Sequence, residues 1–258
     1  MTDSVAARAD LSVVVVAQGS EAALLTAVRS VLTALDLAAH GVRHHGGWLR
    51  GERLGGEIVL VVRDVAALPA AVRRDRRVRV VAAPGVGTGR ARNVGVAAAR
   101  GRYLLFTSPD ARVPVPWAVE MTTPLREGRA DLTGGAVRLA DTRPAWVDDA
   151  LAAAVLGVVP DPPTSGRAFS GVSMAATRAV LESVGFDEAL GTPRYPFTGD
   201  VMFRHDVVAA GFRELAVPGV TVERRPDPGA LTPRALRRRA AQHARGAAYL
   251  DRHLRDAR

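Results

Sequence analysis

The amino-acid sequence predicts an α/β fold in which a mostly parallel central sheet is flanked by helices. Short runs rich in valine, isoleucine and leucine, each of the length of a buried strand, alternate with longer segments in which apolar residues recur every three or four positions. Turn-forming glycine, proline and aspartate separate the two kinds of segment. Such alternation is typical of parallel strands joined by right-handed helical crossovers. With 258 residues, 48% of them hydrophobic, the chain can bury one good core, which favours a single domain with or without appendages.

The first part of the chain supplies buried strands with little polar interruption. Three strands are predicted here, over residues 11–17, 57–62 and 78–82. Ser20 can cap the helix that follows the first strand, and Leu24 begins the apolar side of that helix. A short helix is predicted over residues 66–74. Residues 40–56, rich in glycine, histidine and arginine, show no period and are predicted to be a surface loop.

Residues 87–110 combine a glycine-containing turn, a helix, a strand and a terminal carboxylate. Gly87 and Gly89 allow the backbone to turn tightly into a helix, whose first N–H groups would form an anion site. Gly101 is expected to end that helix. An apolar strand over residues 103–106 then delivers Asp110 at its carboxyl end, which is the edge where ligands bind in open α/β sheets.

The second part of the chain continues with helices and strands in less regular order. Helices are predicted over residues 117–127, 146–159, 177–184 and 200–210, and strands over residues 130–139 and 169–174. Gly134 and Gly135 weaken one of these strands or mark a bulge in it.

A long amphipathic helix is predicted to begin at Thr232 and Pro233. Its apolar stripe is predicted to be Leu236, Ala240, His243, Ala247, Leu250 and Leu254. The opposite face carries arginines, namely Arg237, Arg238, Arg245, Arg252 and Arg255. This basic face is either simply solvated or a contact for phosphate or a membrane surface.

Composition narrows the chemistry that the chain can perform. The sequence has no cysteine, which excludes disulfides, thiol catalysis and cysteine metal sites, and no lysine, which excludes Schiff-base chemistry. The net charge of +9 favours an anionic partner such as a phosphate, an acidic lipid surface or nucleic acid. No apolar run is expected to reach the roughly 18 to 20 residues that span a bilayer.

Six segments, taken in order, resemble the GT-A glycosyltransferases of family 2, which are inverting transferases that use nucleotide sugars. The segments are residues 11–18, 57–64, 87–93, 103–110, 169–188 and 198–211. Ala91, Arg92 and Asn93 stand where that family has its Ala-Arg-Asn element, and residues 108–110 stand where it has its D-x-D motif. The resemblance covers roughly residues 11–225 and implies a single GT-A domain with a Rossmann-like sheet, followed by the C-terminal helix.

The resemblance also implies roles for particular residues. Asp200 would be the general base that takes the proton of the acceptor hydroxyl. Asp110 would be a ligand of Mg²⁺ or Mn²⁺, with the diphosphate supplying further oxygens. The residues implied to bind substrate are Gln18, Asp64, Arg92, Ser108, Asp110, Gly171 and Arg224.

The chain departs from the family pattern at three places. Ser108 replaces the first acid of the D-x-D motif, and Gly199 replaces the acidic residue that normally precedes the catalytic aspartate. The histidine that often completes the metal site near the end of this fold is not evident, and residues 220–225 offer Glu223, Arg224 and Arg225 instead. The sequence therefore leaves open whether a divalent cation or Arg224 or Arg225 neutralises the phosphates. It also leaves open a catalytically degenerate GT-A domain that binds a sugar nucleotide or a partner protein without transfer. A nucleic-acid-binding function is less favoured, because the chain shows no recognisable module for it.

The predicted organisation is a flexible tail over residues 1–10, a nucleotide-sugar-binding half over 11–140, an acceptor and catalytic half over 141–225, and a C-terminal basic amphipathic helix over 226–258. The predicted enzyme is of the hexosyltransferase type. Its acceptor is a small molecule, a polysaccharide or a lipid-linked compound. The predicted location is the cytoplasm, with peripheral contact at the inner face of the membrane through the basic helix.

Overall fold

The computed structural model of the chain describes residues 9–17, 19–40, 42–44, 47–49, 53–66, 68–163 and 169–256. Of residues 42–44, 47–49 and 255–256 it describes the backbone alone. Almost all of the predicted N-terminal tail, residues 1–10, lies outside the described residues.

The described residues form strands and helices in the predicted alternating order. The strands are β1 (Leu11–Val16), β2 (Val42–His44), β3 (Gly47–Leu49), β4 (Gly56–Val62), β5 (Val78–Ala82), β6 (Tyr103–Thr107), β7 (Ala111–Arg112), β8 (Leu132–Leu139), β9 (Met174–Thr177) and β10 (Glu214–Arg224). The helices are α1 (Glu21–His40), α2 (Ala70–Arg74), α3 (Thr88–Ala98), α4 (Trp117–Arg126), α5 (Asp149–Leu156), α6 (Arg178–Ser183), α7 (Gly199–Ala209) and α8 (Pro233–Asp256).

One mixed sheet of eight strands organises the molecule, in the order β5-β4-β1-β6-β9-β8-β10-β7. The first four of these strands are parallel to one another. Strand β9 is antiparallel to both neighbours, β10 runs parallel to β8, and β7 pairs antiparallel with β10 at the edge. The predicted α/β class with a mostly parallel sheet is therefore confirmed.

The sheet is buried on both faces, which explains the uninterrupted apolar runs in its strands. On β1, Val13 and Val15 face the core beneath α1 and α4, while Val14 faces the core beneath α3, α6 and α7. Trp117 of α4 and Phe203 of α7 are fully buried in these two cores.

Helix α1 corrects the expectation that no apolar run reaches the length that spans a bilayer. It is the one described helix whose length and apolar character would allow it to cross a membrane. Leu24, Val28 and Val31 instead pack into the core against the sheet, so part of its apolar surface is that of a core helix.

Several predicted boundaries of helices, strands and loops were wrong, because contacts with other segments of the chain decide where these elements begin and end. Residues 40–56 do not form only a loop, because α1 extends to His40 and β2 pairs with β3 as a short hairpin. Helix α3 ends at Ala98, and Gly101 instead lies so close to β1 that an added Cβ would stand 2.6 Å from the Ser12 nitrogen.

The strand predicted over residues 169–174 begins only at Met174. The preceding residues form a tight turn in which the Ser173 N–H donates to the Ser170 carbonyl at 3.0 Å. Gly134 and Gly135 both lie within β8, and the irregularity in register falls on the partner strand between Val217 and Thr221.

Candidate functional site

A cleft opens along the carboxyl ends of the parallel strands. One end, a cavity of about 860 Å³, lies beside β1 and β4 and is lined by Val62, Arg63 and the turn before α3. The centre of the cleft is lined by residues from the middle of the sheet, from α3 and from α8. Central lining residues include Thr88, Arg92, Asp110, Gly171, Arg224 and Arg239.

Asp110 is held at the end of β6 by a bidentate ion pair. The Arg224 Nη2 lies 2.7 Å from Asp110 Oδ2, and the Nε lies 3.3 Å from Oδ1. The Ser108 hydroxyl donates to the same Oδ1. Both side chains of the pair are largely buried, 12% exposed for Arg224 and 19% for Asp110. Burial opposes the charged carboxylate, but Arg224 and Ser108 outweigh that effect and lower the pKa of Asp110.

The pairing of β7 with β10 brings these two residues together. Arg224 lies opposite Ala111 in this antiparallel pair, and the Arg225 N–H donates to the Asp110 carbonyl at 2.7 Å. The Arg225 side chain turns instead to Glu223 and is half exposed. Of the two arginines that the sequence left open, Arg224 is therefore the one that faces the cleft.

Arg92 projects from α3 into the centre of the cleft. Its guanidinium lies 5.1 Å from the centroid of the Phe186 ring, and its Nη2 lies 3.5 Å from the Gly171 carbonyl. Desolvation lowers the pKa of Arg92, and the charge of Asp200 opposes that shift. A Cβ added to Gly171 would stand 1.9 Å from the Arg92 Nη2, so a glycine here leaves room for the guanidinium.

Asp200 lies in the first turn of α7 and lines the centre of the cleft together with Arg92 and Arg239. Its Oδ2 accepts a hydrogen bond from the Gly171 N–H at 2.8 Å, which fixes the carboxylate against the turn that holds Gly171. It also lines a second, mostly apolar groove of about 700 Å³ between α5 and α7. The groove is lined chiefly by Ala150, Ala153, Ala154, Val158, Val159, Pro160, Phe169 and Val201.

The anion site predicted at the start of α3 is contradicted by its hydrogen bonds. The Thr88 N–H donates to the Gly191 carbonyl at 3.1 Å, and the Gly89 N–H donates to the Leu190 carbonyl at 3.2 Å. A Cβ on Gly89 would stand 2.1 Å from the Asp187 carbonyl oxygen. The glycines therefore allow a loop to pack on the helix end, and the cations of the cleft come from side chains.

The remaining predicted site residues lie away from the centre of the cleft or cannot be placed. Asp64 follows β4, but its carboxylate accepts from the Ala66 N–H at 2.9 Å, and Arg63 rather than Asp64 lines the cleft there. Gln18 lies outside the described residues.

Two residues of α8 line the cleft although the sequence analysis did not predict them as site residues. Arg239 lies with its guanidinium 4.2 Å from the Phe197 ring centroid, and its Nε donates to the Val155 carbonyl. The imidazole of His243 also stacks on the Phe197 ring, with 4.3 Å between the ring centroids. Burial and the charge of Arg239 lower the pKa of His243, and its Nε2 is buried without a hydrogen-bond partner among the described residues.

The helical spacing of residues along α8 could have indicated that Arg239 and His243 lie on its packed side. Ala240 and Ala247, which were assigned to the apolar stripe, are exposed, and Arg239 and Gly246 take their places on the packed side. Arg239 comes three residues after the buried Leu236 and four before His243, so helical periodicity places all three on one face.

The side chains around Asp110 do not fit a divalent cation. Both carboxylate oxygens are already engaged by Arg224, and Mg²⁺ or Mn²⁺ would have to displace a buried guanidinium to reach them. Within the part of the chain that the structure describes, no cluster of three or more histidine, aspartate or glutamate side chains is placed to hold a metal.

The mixed eight-stranded sheet, with a cleft at the carboxyl ends of its parallel strands, defines the class of the protein as an α/β protein with its site at that edge of the sheet. Residues 57–151 match the family model described as Glycosyl transferase family 2. The predicted resemblance to GT-A glycosyltransferases of that family is thus confirmed. No curated protein matches the chain significantly.

Solved structures of TarS from S. aureus share the fold. TarS 1-349 superposes with a TM-score of 0.59 at 16% identity, over 83% of this chain and 60% of that one. Its complex with UDP-GlcNAc superposes with a TM-score of 0.56 at 15% identity, over 84% of this chain and 59% of that one. Its complex with UDP superposes with a TM-score of 0.58 at 16% identity, over 95% of this chain and 71% of that one. At these identities the likeness concerns the fold.

Proposed function

We propose that the protein transfers a sugar from a nucleoside-diphosphate sugar to an acceptor hydroxyl, with inversion at the anomeric carbon and with Asp200 as the general base. The observation that carries the proposal is the position of Asp200, which lines both the arginine-containing centre of the cleft and the neighbouring apolar groove. A base at this junction can reach a hydroxyl in the groove while the donor occupies the cleft. The complexes of TarS with UDP and UDP-GlcNAc support a nucleotide sugar, and a hexosyl donor in particular.

The chemistry follows from the two sides of the cleft. The acceptor oxygen attacks the anomeric carbon as its proton passes to an Asp200 carboxylate oxygen, and the bond from that carbon to the diphosphate oxygen breaks with its electron pair on the diphosphate. Attack from the side opposite the leaving group inverts the configuration. Fixed cations near the departing diphosphate lower the barrier because they stabilise charge that grows in the transition state.

The apolar groove indicates what surrounds the acceptor hydroxyl. Alanine and valine side chains of α5 and the segment after it dominate its lining. A small apolar molecule or the lipid end of a lipid-linked compound would lose its hydration there more readily than a polysaccharide. We therefore favour a small apolar molecule or a lipid-linked compound as the acceptor over a polysaccharide.

A donor screen with analysis of the product tests the proposal. The unfolding midpoint is measured with UDP-, GDP-, ADP- and dTDP-sugars, and the stabilising donor is then incubated with small apolar alcohols or lipid-linked acceptors. We expect one donor class to raise the midpoint and the product to carry the inverted anomeric configuration by NMR. Retention of configuration, or the absence of stabilisation by any donor, would contradict the proposal.

A second candidate is a domain that binds a sugar nucleotide without transferring the sugar. The observations in its favour are Ser108 and Gly199 at two normally acidic positions and the engagement of Asp110 by Arg224. It predicts stabilisation by a donor with neither transfer nor donor hydrolysis.

A further inference from the structure

Three guanidinium groups from three different elements meet at the centre of the cleft. Arg92 comes from α3, Arg224 from the end of β10 and Arg239 from α8, and all three line the same cavity beside Asp110. Asp110 and, at the rim, the exposed Asp227 are the carboxylates that line this cavity. Positive charge is therefore in excess among its described lining residues.

The three arginines differ in the partners that hold them. Within the described residues, Arg92 and Arg239 form no salt bridge, and each has a hydrogen bond to one backbone carbonyl. Arg224 differs, because Asp110 and the Leu156 carbonyl hold its guanidinium in place. Asp110 thus positions an arginine at the location where the family pattern would have it bind a metal.

The electrostatic environment of Arg239 indicates an anionic ligand. Burial and the positive charge of Arg224 lower its pKa to about 10, although Asp110 and Asp200 act in the opposite direction. Like charges gathered in a desolvated cleft are unfavourable by themselves and become favourable when an anion enters. Guanidinium groups match phosphate oxygens well, since each can donate two parallel hydrogen bonds.

Close packing fixes the position of α8 beside the cleft. A Cβ on Gly246 would stand 2.7 Å from the Thr198 Oγ1 and 3.0 Å from the Phe197 carbonyl oxygen. Farther along the helix, the Tyr249 hydroxyl donates to Asp187 at 2.7 Å. These contacts hold α8 against the rest of the protein and so fix the position from which Arg239 reaches the cleft.

From this geometry we infer that Arg92, Arg224 and Arg239 bind the donor diphosphate directly and take the place of a divalent cation, with α8 completing the donor site. The inference rests on the proposed function, because it assumes that a nucleoside diphosphate occupies the cleft. It assigns Arg239 as a phosphate-binding residue and Asp110 as the residue that positions Arg224.

Calorimetric titration with UDP, GDP, ADP and dTDP, each in EDTA and in Mg²⁺, tests the absence of a metal requirement. For the nucleotide that binds, we expect dissociation constants in the two buffers that agree within about threefold. Binding that is at least about tenfold tighter in Mg²⁺ than in EDTA would overturn this inference and leave the proposed function standing. If no nucleoside diphosphate binds in either buffer, the proposed function itself fails.

Substitution of Arg239 tests the role of α8. In EDTA, Arg239→Gln is expected to weaken the binding of the same nucleotide by about 10- to 100-fold, as for a lost charged hydrogen bond. Arg238→Gln removes the same charge from the exposed side of the helix and is expected to leave affinity within about twofold.

A conservative variant separates binding from folding. Arg239→Lys keeps the charge and the aliphatic stem over Phe197 but loses the planar fork, so its affinity should fall between those of the wild type and Arg239→Gln. The unfolding midpoint of each free variant is measured alongside. Wild-type affinity in Arg239→Gln, or equal losses in Arg238→Gln and Arg239→Gln, would overturn the assignment.

Discussion

Gly171 connects the two sides of the site through its backbone. Its N–H donates to Asp200 at 2.8 Å, and its carbonyl accepts a hydrogen bond from Arg92 at 3.5 Å. One residue without a side chain thus sets the positions of the proposed base and of a proposed phosphate ligand.

Gly171→Ala is expected to weaken nucleoside diphosphate binding by about tenfold while changing the free energy of unfolding by less than about 1 kcal/mol. The added methyl group would displace the Arg92 guanidinium, which is the flexible end of its side chain. Gly185→Ala is a matched control, because its Cβ would make only ordinary contacts, at 3.7 Å from Asn93. Calorimetry and denaturant unfolding measure the two effects. Equal affinity in both variants would contradict the role given to Gly171.

The Asp110 ion pair should contribute a pH-dependent part of the stability. The pKa of Asp110 is lowered in the folded state, so the stabilisation is complete above its ordinary value of 3.8 and is lost as the pH falls through the lower folded value. Asp110→Asn is expected to cost about 1.5–3 kcal/mol at pH 7, and the difference from the wild type should shrink below about pH 4. Denaturant unfolding of both proteins at pH 7 and pH 3 provides the measurement. An unchanged difference would contradict the pairing.

At the level of elements, the local pattern predicted most helices and the strands of the parallel half, because each carries its own apolar period. It failed where contacts with distant segments decide the conformation. Phe169 and Val172 resemble strand residues, yet they lie in a turn fixed by Ser170, Ser173 and Asp200. The orientation of α8 was misjudged for a related reason, since the side of that helix facing the cleft is partly polar.

The exposed side of α8 supports the proposal of peripheral contact with an anionic membrane surface. Arg237, Arg238 and Arg245 are exposed and lie away from the cleft side of the helix. Replacing all three by glutamine should reduce co-sedimentation with phosphatidylserine-containing vesicles by at least about tenfold at low salt, since each arginine near such a surface contributes about 1 kcal/mol. Nucleotide binding should be unchanged. If the variant and the wild type sediment equally, α8 has no role in membrane contact.

At the level of the whole molecule, the site depends on topology that the sequence does not reveal. Asp110 and Arg224 are 114 residues apart and meet only because β10 pairs with both β8 and β7. The sequence could predict Asp110, Arg92 and Asp200 as residues at strand or helix ends, and the resemblance supplied their implied roles. The sequence could not predict that Arg224 forms an ion pair with both carboxylate oxygens of Asp110. It also could not predict that the C-terminal helix packs beside the cleft and places Arg239 in its lining.

The division of the chain at residues 140 and 225 stays a prediction, but the contacts of α8 bear on how its parts cooperate. Arg239 and His243 line the same cleft as Thr88 and Asp200. The proposed donor and acceptor sites are therefore built jointly by the sheet, α3, α7 and α8.

The most direct test of glycosyl transfer by this cleft is the turnover of Asp200→Asn with the donor that stabilises the wild type. We expect the rate of nucleoside diphosphate release in the presence of acceptor to fall by at least about 100-fold, while the dissociation constant of the nucleoside diphosphate stays within about threefold. Asp206→Asn, on the same helix but outside the residues lining the cleft, should retain the wild-type rate. Unchanged turnover in Asp200→Asn would contradict the assignment of Asp200 as the base and the account of catalysis built on it.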